Sequence, residues 1–386
     1  MKPDDHREKD AGSRCVISMD SNSTSIYDPR NPGHVKTFTF DLAYWSHNGQ
    51  VRFFSKKVFC DLGQGVLQSA WQGYNATLLA YGQTGSGKSY SMIGYGANRG
   101  LVPSVCEELC KAIQSQEKNK QYQVRLAQIV IYFQDLSRLK PGGLKIREDQ
   151  QQGFYVDGLK LVPCDNYAQI ERLMDQGNKM RTTATTTMNA SSSRSHMVIT
   201  IQFKQVIFLD EAITKQSVIN LVDLAGSERQ KSSGSEKDRL KEGTRVNLSL
   251  TTLGNVISAL AEVATGKKVL HIPYRDSVLT KLLQSALGGN SRTIMIAALS
   301  PADICYEETL STLRYAERCT SIIYSSLMAS VLLLSFLRLR TGNLSLQSFQ
   351  LGFVCSSGIL LPQQPGCQQV SGVGDYSQHR FSSASS

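Results

Sequence analysis

The stretch "AYGQTGSGKSYSM", residues 80–92, concentrates glycines, hydroxyl side chains and a lysine in one short segment. It fits the spacing G-x-x-x-x-G-K-[ST], which is typical of loops that bind nucleotide phosphates. Glycines let backbone N–H groups approach phosphate oxygens because no Cβ blocks them. In such a loop Lys88 reaches the β- and γ-phosphates, and the Ser89 hydroxyl ligates Mg²⁺. The residues predicted to bind the nucleotide are Gly82, Gln83, Thr84, Gly85, Ser86, Gly87, Lys88 and Ser89.

The residues before the loop support this interpretation. The apolar run "ATLLAYG", residues 76–82, predicts a buried strand that leads into the loop. A phosphate loop needs a strand before it and a helix after it. The alternative is a flexible Gly/Ser loop that matches the spacing by chance, and the predicted strand makes that alternative the weaker one.

Two further stretches predict parts of the same site. "NASSSRSH", residues 189–196, crowds hydroxyls, an amide and an arginine before a predicted strand. "LVDLAGSER", residues 221–229, ends an apolar strand at Asp223, where a carboxylate can face Mg²⁺ through water. Gly226 follows, and its N–H can face a γ-phosphate. Either stretch alone is compatible with an ordinary loop, but together they favour a nucleotide triphosphatase.

Composition limits the partners and the compartment. The chain has 386 residues and a net charge of +10, which favours acidic partners. Cys106 and Cys110 belong to nine scattered cysteines, and their spacing predicts a helix face rather than a metal site. The N-terminus lacks the apolar core of a signal peptide, so we expect a reduced, cytosolic protein. "LMASVLLLSFL", residues 327–337, is shorter than the roughly 20 residues of a membrane span.

Apolar runs alternate with helix-like segments from about residue 35 to 323, which predicts an α/β domain. The predicted strands lie in residues 123–133, 196–206, 217–226 and 292–300. The predicted helices are 101–116, 167–176, 246–263 and 274–287. Composition divides the chain into a domain at 1–323 and a tail at 324–386, which is rich in Ser, Gln and Gly and predicted to be largely disordered. The sequence shows no heptad run for dimerisation.

The motifs in this order resemble the kinesin motor domain. They are "GQTGSGKS", "NASSSRSH", "DLAGSE", "NLSLTTLGNVISAL", "HIPYRDSVLTKLLQSALGGNSRT" and "YEETLSTLRYAER". The resemblance covers roughly residues 15–318 and has the character of the third kinesin class, the organelle-transport motors. It implies a kinesin-type P-loop fold, in which a central mixed β-sheet carries helices on both faces.

The resemblance also implies an ATPase that uses ATP and Mg²⁺. Ser192 would approach Mg²⁺ together with Ser89 and Asp223, and Ser193 would position the attacking water. Gly226 would sense the γ-phosphate, and Arg194 and Glu228 would form a salt bridge over the nucleotide. Phosphoryl transfer depends mainly on positioning and charge stabilisation, which agrees with such roles.

Microtubules are the partner that the resemblance implies, with organelle cargo in the full-length family. Basic residues outnumber acidic ones between Arg229 and Arg245, and Lys267, Lys268, Arg275 and Lys281 follow. These segments match the family's track-binding face, and the surface of tubulin is acidic. Nucleic acid is the second choice and is disfavoured, because no aromatic residues interleave with the basic ones. A GTP-specific switch is disfavoured because the chain lacks an N-K-x-D-type guanine motif.

Several segments depart from the family pattern. The opening strand and its adenine-contacting R-x-R-P motif are missing, residues 127–148 are shorter than usual, and Leu248 replaces a lysine of the track face. After "RYAER" the chain continues as "CTSIIYSSLMASVLLLSFLRLRTG" instead of a basic neck linker. We therefore expect a truncated head that binds microtubules but does not step processively. The alternative is a truncated form that binds without productive hydrolysis.

Overall fold

The computed structural model describes residues 12–46, 56–96, 98–114, 120–131, 134–135, 144–150, 153–186, 194–208, 212–228, 237–320 and 322. For residues 32, 130–131, 134–135, 180, 182–186 and 237–245 it describes only the backbone. These residues belong to the first of two compact units, Met1–Gly342. The second unit, Asn343–Ser386, the predicted boundary at 323/324 and the predicted disordered tail lie outside the described residues.

The structure confirms the predicted α/β order. The strands are β1 Ile17–Asp20, β2 Ser23–Asp28, β3 Asn31–Thr39, β4 Asn75–Tyr81, β5 Gly94–Tyr95, β6 Asn98–Arg99, β7 Lys120–Ile131, β8 Gln134–Asp135, β9 Ile146–Asp149, β10 Gly153–Val156, β11 Val162–Cys164, β12 His196–Phe208, β13 Ala212–Asp223 and β14 Ser291–Ala297. The helices are α1 Gln64–Gln72, α2 Lys88–Met92, α3 Leu101–Gln114, α4 Tyr167–Thr186, α5 Lys237–Ala264, α6 Val278–Leu282 and α7 at residues 306–320. Short π- and 3₁₀-helical turns occupy Phe59–Gly63, Tyr274–Asp276 and Asp303–Cys305.

A mixed sheet forms the centre of the domain, in the strand order β11-β7-β12-β13-β4-β14, with β8 paired to β7. Strand β4 runs parallel to β13 and β14, whereas β12 runs antiparallel to β13. Asp223 pairs in register with Ala80 and with Met197. The carboxyl ends of β4 and β13 and the start of β12 therefore lie at one edge of the sheet.

Helices cover both faces of this sheet, as the resemblance implied. Successive side chains of a strand point to opposite faces. Leu78 accordingly packs in a core that includes residues of α1, α3 and α4, while its neighbour Leu79 packs in a second core with residues of α5, α6 and α7. A small three-stranded sheet, β1-β2-β3, forms a third core with α7.

Helix boundaries differ from the predictions in two ways. Helices α4 and α5 are longer than predicted, at Tyr167–Thr186 and Lys237–Ala264. The predicted helix at 274–287 is interrupted at Ser277, whose backbone is extended (φ −142°, ψ 156°), and its α-helical part ends at Leu282. The Ser277 side chain accepts a hydrogen bond from the Thr280 backbone N–H and so caps α6.

Part of α5 has the length and composition of a membrane span, at Val246–Ala264. Within this window 44% of the helix is buried inside the domain. Leu253, Val256 and Ile257 of this stretch belong to the second core. The segment is accounted for as the core helix of a folded domain.

Cysteines of the described chain are free thiols in contrasting environments. Cys106 and Cys110 are buried on α3, which confirms the predicted helix face, and Cys164 is buried on β11. Burial raises the pKa of all three thiols, with that of Cys164 at about 11. Cys15, by contrast, is exposed.

Candidate functional site

The phosphate loop connects β4 to α2 at the sheet edge defined above. Gly87 precedes α2 with a φ of 103°, in the left-handed region that favours glycine. Gly82 has a φ of 144°, and a Cβ there would overlap the backbone oxygen of Ala298. The loop backbone therefore requires glycine at these two positions, as the motif predicted.

Lys88 is buried at the start of α2, with 6% of its surface exposed. Its Nζ donates a hydrogen bond of 2.8 Å to the backbone oxygen of Gln83. Burial lowers the pKa of Lys88, while the carboxylates of Asp223 and Glu228 oppose that shift. Lys88 thus places a cationic group inside the loop, where an anionic phosphate would pair with it.

Asp223, at the end of β13, is 1% exposed and contacts the loop directly. Its Oδ2 accepts a hydrogen bond of 2.6 Å from Ser89 Oγ and one of 3.1 Å from Arg181 Nη1. Its other oxygen, Oδ1, is buried with no hydrogen-bond partner in the described structure. A buried carboxylate oxygen needs a partner, so an unpaired oxygen beside a serine hydroxyl fits a Mg²⁺ ion or its water ligands.

Arg181 was not predicted as a site residue. It lies on α4, is 7% exposed, and forms a buried salt bridge with Asp223. Its Nη2 and Nε also donate to the backbone oxygen and the Oγ of Ser195, at 3.0 and 3.2 Å. Arg181 therefore holds the end of β13 and the residue before β12 together. The motifs only weakly indicated Arg181 as a site residue, because its contact partners lie far from it in sequence.

Glu228 contacts the phosphate loop instead of Arg194. Its Oε2 accepts a hydrogen bond of 2.8 Å from the Thr84 backbone N–H, and its Oε1 accepts one from Thr84 Oγ1. Arg194 is partly buried, and among the described residues no ion pair joins it to Glu228. The Arg194–Glu228 salt bridge therefore stays a prediction.

Gly226 lies between these groups. A Cβ at this position would overlap Thr84 Oγ1 and the carboxylate of Glu228. The loop after β13 thus passes close to the phosphate loop, and the Ser227 backbone N–H donates to the Gly82 oxygen at 3.1 Å. Ser192 and Ser193 lie outside the described residues, so their predicted roles stay predictions.

The family model for the kinesin motor domain matches residues 1–322. These residues include the mixed sheet that carries the phosphate loop and the Asp223 strand at one edge. The chain belongs to the kinesin motor-domain family. Kinesin motor domains are microtubule-stimulated ATPases and bind nucleotide, and the predicted family and fold class are confirmed for this chain.

Individual kinesins are similar over most of this chain. Kinesin-like protein KIF28P of Homo sapiens is 69% identical over 339 residues, which cover 82% of this chain and 35% of that protein. Kinesin-like protein KIF28 of Mus musculus is 67% identical over 342 residues, which cover 83% of this chain and 33% of that protein. This kinesin chain spans about a third of the length of those relatives.

A solved kinesin structure shows the same fold. It is a KIF14 dimer in a two-heads-bound state with AMP-PNP, in complex with a microtubule. The two chains superpose with a TM-score of 0.76 at 40% identity, covering 83% of this chain and 92% of that chain.

Residues of the predicted track face are described in part. Lys267 and Lys268 are exposed, and Leu248 is 55% exposed on α5. Arg275 is exposed and donates two hydrogen bonds, of 2.8 and 3.0 Å, to the carboxylate of Glu148. The side chains between Arg229 and Arg245 lie outside the described residues.

Proposed function

We propose that this chain hydrolyses ATP with Mg²⁺ at the site formed by the phosphate loop and Asp223, and that microtubules stimulate this hydrolysis. The observation that carries the proposal is the contact between Ser89 Oγ and Asp223 Oδ2, with Asp223 Oδ1 left unpartnered beside it. Ser89, Asp223 and Ser192 would hold the ion, which neutralises charge on the transferred phosphoryl group.

The chain's own residues would bind and orient the nucleotide. Backbone N–H groups of the loop from Gly82 to Lys88 would bind phosphate oxygens, and Lys88 would supply a buried positive charge. Gly226 would offer its N–H to the γ-phosphate, and Ser193 would orient the attacking water. These roles rest on the motif positions and on the close approach of the Gly226 loop to Thr84.

The Arg194–Glu228 pair would close the site after nucleotide binding. Both oxygens of Glu228 are engaged by Thr84 in this structure. Pairing with Arg194 would therefore require Glu228 to exchange partners. We expect Arg194→Ala to reduce hydrolysis far more than nucleotide affinity, because the pair acts after binding. Equal losses in both measurements would contradict this role.

A lysine substitution tests the ATPase assignment. We expect Lys88→Ala to abolish microtubule-stimulated phosphate release, since it removes the buried charge inside the loop. Lys204→Ala is the matched control, because Lys204 is exposed on β12 about 26 Å along the strand from His196. If Lys88→Ala leaves phosphate release unchanged, the ATPase assignment is wrong. A chain that binds microtubules without any stimulated phosphate release would be a microtubule-binding module.

The proposals on cargo and cellular location rest on the family resemblance alone. The resemblance to organelle-transport kinesins supports transport of organelle cargo by a full-length protein, and a cytoplasmic location on microtubules. Co-sedimentation with microtubules in the presence of AMP-PNP or ADP tests the partner. Isolation of a full-length form tests the cargo proposal, because organelles should be isolated with it. A full-length form isolated without organelles would contradict the proposal.

A further inference from the structure

His196 lies at the start of β12, fully buried, between two segments that the proposed function uses. Its Nδ1 accepts a hydrogen bond of 3.0 Å from the Ala225 backbone N–H. Its Nε2 lies 2.8 Å from Ser249 Oγ on α5. One imidazole ring thus contacts both the residue directly before Gly226 and helix α5, on which Leu248 of the predicted track face lies.

The direction of each hydrogen bond follows from the chemistry of the groups. A backbone N–H can only donate, so Nδ1 must accept and carries no proton. The neutral ring then has its proton on Nε2 and donates it to Ser249 Oγ. Ser249 in turn donates to the Val246 backbone oxygen at 2.6 Å. The three hydrogen bonds are therefore connected in series from Ala225 to α5, and each is donated in the direction of α5.

Neutral histidine is the form that this position favours. Burial and, to a smaller extent, the positive charges of Arg181 and Lys88 together lower the pKa of His196 to about 3. A protonated ring would place an Nδ1–H against the Ala225 N–H, which would break the first bond. The chain of hydrogen bonds is therefore stable at neutral pH.

We propose that His196 is a positioning residue that couples the Gly226 loop to helix α5, by joining Ala225 to Ser249. This inference rests on the proposed function, in which Gly226 offers its N–H to the γ-phosphate and microtubules stimulate hydrolysis, and on the prediction that Leu248 of α5 belongs to the track face. Movement of the loop displaces the Ala225 N–H, and the rigid imidazole transmits that displacement to the Ser249 turn. Without this link, the affinity for microtubules depends less on which nucleotide is bound.

The readout for this coupling is the ratio of microtubule affinities with AMP-PNP and with ADP. We expect Ser249→Ala to reduce this ratio about fivefold, the size of one lost hydrogen bond. His196→Asn keeps an acceptor for Ala225 but is too short to reach Ser249, so it should cause a similar loss. Ser249→Thr keeps the hydroxyl and should restore most of the ratio.

A double variant distinguishes loss of the coupling between His196 and Ser249 from a general disruption of the structure. If His196 acts through Ser249, the variant with both His196→Asn and Ser249→Ala should lose no more than either single variant. Thr252→Val is the matched control, since Thr252 is buried on the same helix at 3% exposure. It should leave the ratio unchanged. Additive losses, or an equal loss in Thr252→Val, would overturn the proposal.

Kinetics distinguish failure of this inference from failure of the proposed function. In Ser249→Ala the maximal microtubule-stimulated rate should fall, while the microtubule concentration for half-stimulation changes less than about twofold. If the unmodified chain shows a nucleotide-dependent affinity ratio but no hydrolysis, the proposed ATPase fails and the coupling stands. If that ratio is unaffected by Ser249→Ala, the coupling is wrong. Should His196→Asn not fold, the Ser249→Ala and Ser249→Thr pair decides.

Discussion

Two glycines of the site differ in what surrounds them, although both belong to motifs. A Cβ on Gly82 would meet the backbone oxygen of Ala298, which cannot move without shifting the chain after β14. The nearest atoms that a Cβ on Gly226 would meet are side-chain ends, of Thr84 and Glu228. Side-chain ends can rotate away. Gly82 is therefore required by the fold, whereas Gly226 is required by the arrangement of the site.

We expect Gly82→Ala to lower the free energy of unfolding by about 2 kcal/mol, from backbone strain and overlap. Gly226→Ala should cost less stability but lower the hydrolysis rate at least about tenfold, because it displaces Thr84 and Glu228. Denaturant unfolding and phosphate release measure the two effects. Similar stability losses in both variants would show that the surroundings of Gly226 are as rigid as those of Gly82.

His196 should make stability depend on pH. The folded protein keeps this ring neutral down to about pH 3, whereas the unfolded chain binds the proton near its ordinary pKa of 6.5. The stability that neutral His196 contributes is thus fully present above pH 6.5 and is lost as pH falls toward 3. Relative to His196→Asn, the unmodified chain should lose up to about 1.4 kcal/mol per pH unit between pH 6.5 and 5.

Denaturant unfolding at a series of pH values measures this difference. The exposed His271 provides a matched control, because its ring is not enclosed by the fold. His271→Asn should run parallel to the unmodified chain over the same pH range. A constant difference between His196→Asn and the unmodified chain would mean that His196 titrates alike in both states.

At the scale of elements, Arg181 connects α4 to the ends of β12 and β13. Its salt bridge with Asp223 is almost completely buried. Removing one partner of a buried pair leaves the other charge uncompensated. We expect Arg181→Ala to lower the free energy of unfolding by about 3 kcal/mol. Lys111→Ala, which breaks exposed ion pairs on α3, should change the unfolding midpoint very little. Equal effects of the two variants would contradict this account.

Strands could be predicted from the sequence more reliably than helix ends. The apolar runs of β4, β12, β13 and β14 identified the central sheet, because buried strands need continuous apolar residues. The ends of α4 and α5 could not be predicted, since both helices extend through polar residues. Strands β1 to β3 were not predicted either, because their residues are partly exposed and mostly polar.

The candidate site was predictable where spacing along the chain encodes it. The phosphate loop and Asp223 follow from local motifs, and the structure brings Ser89 and Asp223 together. The contacts of Arg181 and His196 could not be predicted, because they join residues far apart in sequence. A buried polar side chain at the start of an apolar strand, as at His196, was the available signal.

At the scale of the whole molecule, the net charge of +10 should govern its attraction to acidic surfaces. We expect microtubule affinity to weaken as salt rises above about 0.15 M, where the screening length is about 8 Å. Leu248→Lys adds a positive charge to the exposed track face predicted on α5 and should tighten binding at low salt only. Co-sedimentation over a salt series measures this effect.

The control for that experiment adds the same charge elsewhere. Tyr95 is 84% exposed on the β5-β6 hairpin, so Tyr95→Lys changes the net charge equally. A larger effect of Leu248→Lys would locate the microtubule on the α5 side. Equal effects would show that total charge, rather than this face, determines binding.

The distribution of cysteines has a practical consequence for fluorescence experiments. Maleimide dyes react with thiolates, and the thiols of Cys106, Cys110 and Cys164 are both enclosed and held in the protonated form. Exposed Cys15 should therefore be the first described thiol to react at neutral pH. With Cys355 and Cys367 of the second unit replaced by serine, brief labelling would attach a dye beside β1, and peptide mapping would verify the position. A motor head could then be followed on single microtubules without a fused reporter protein.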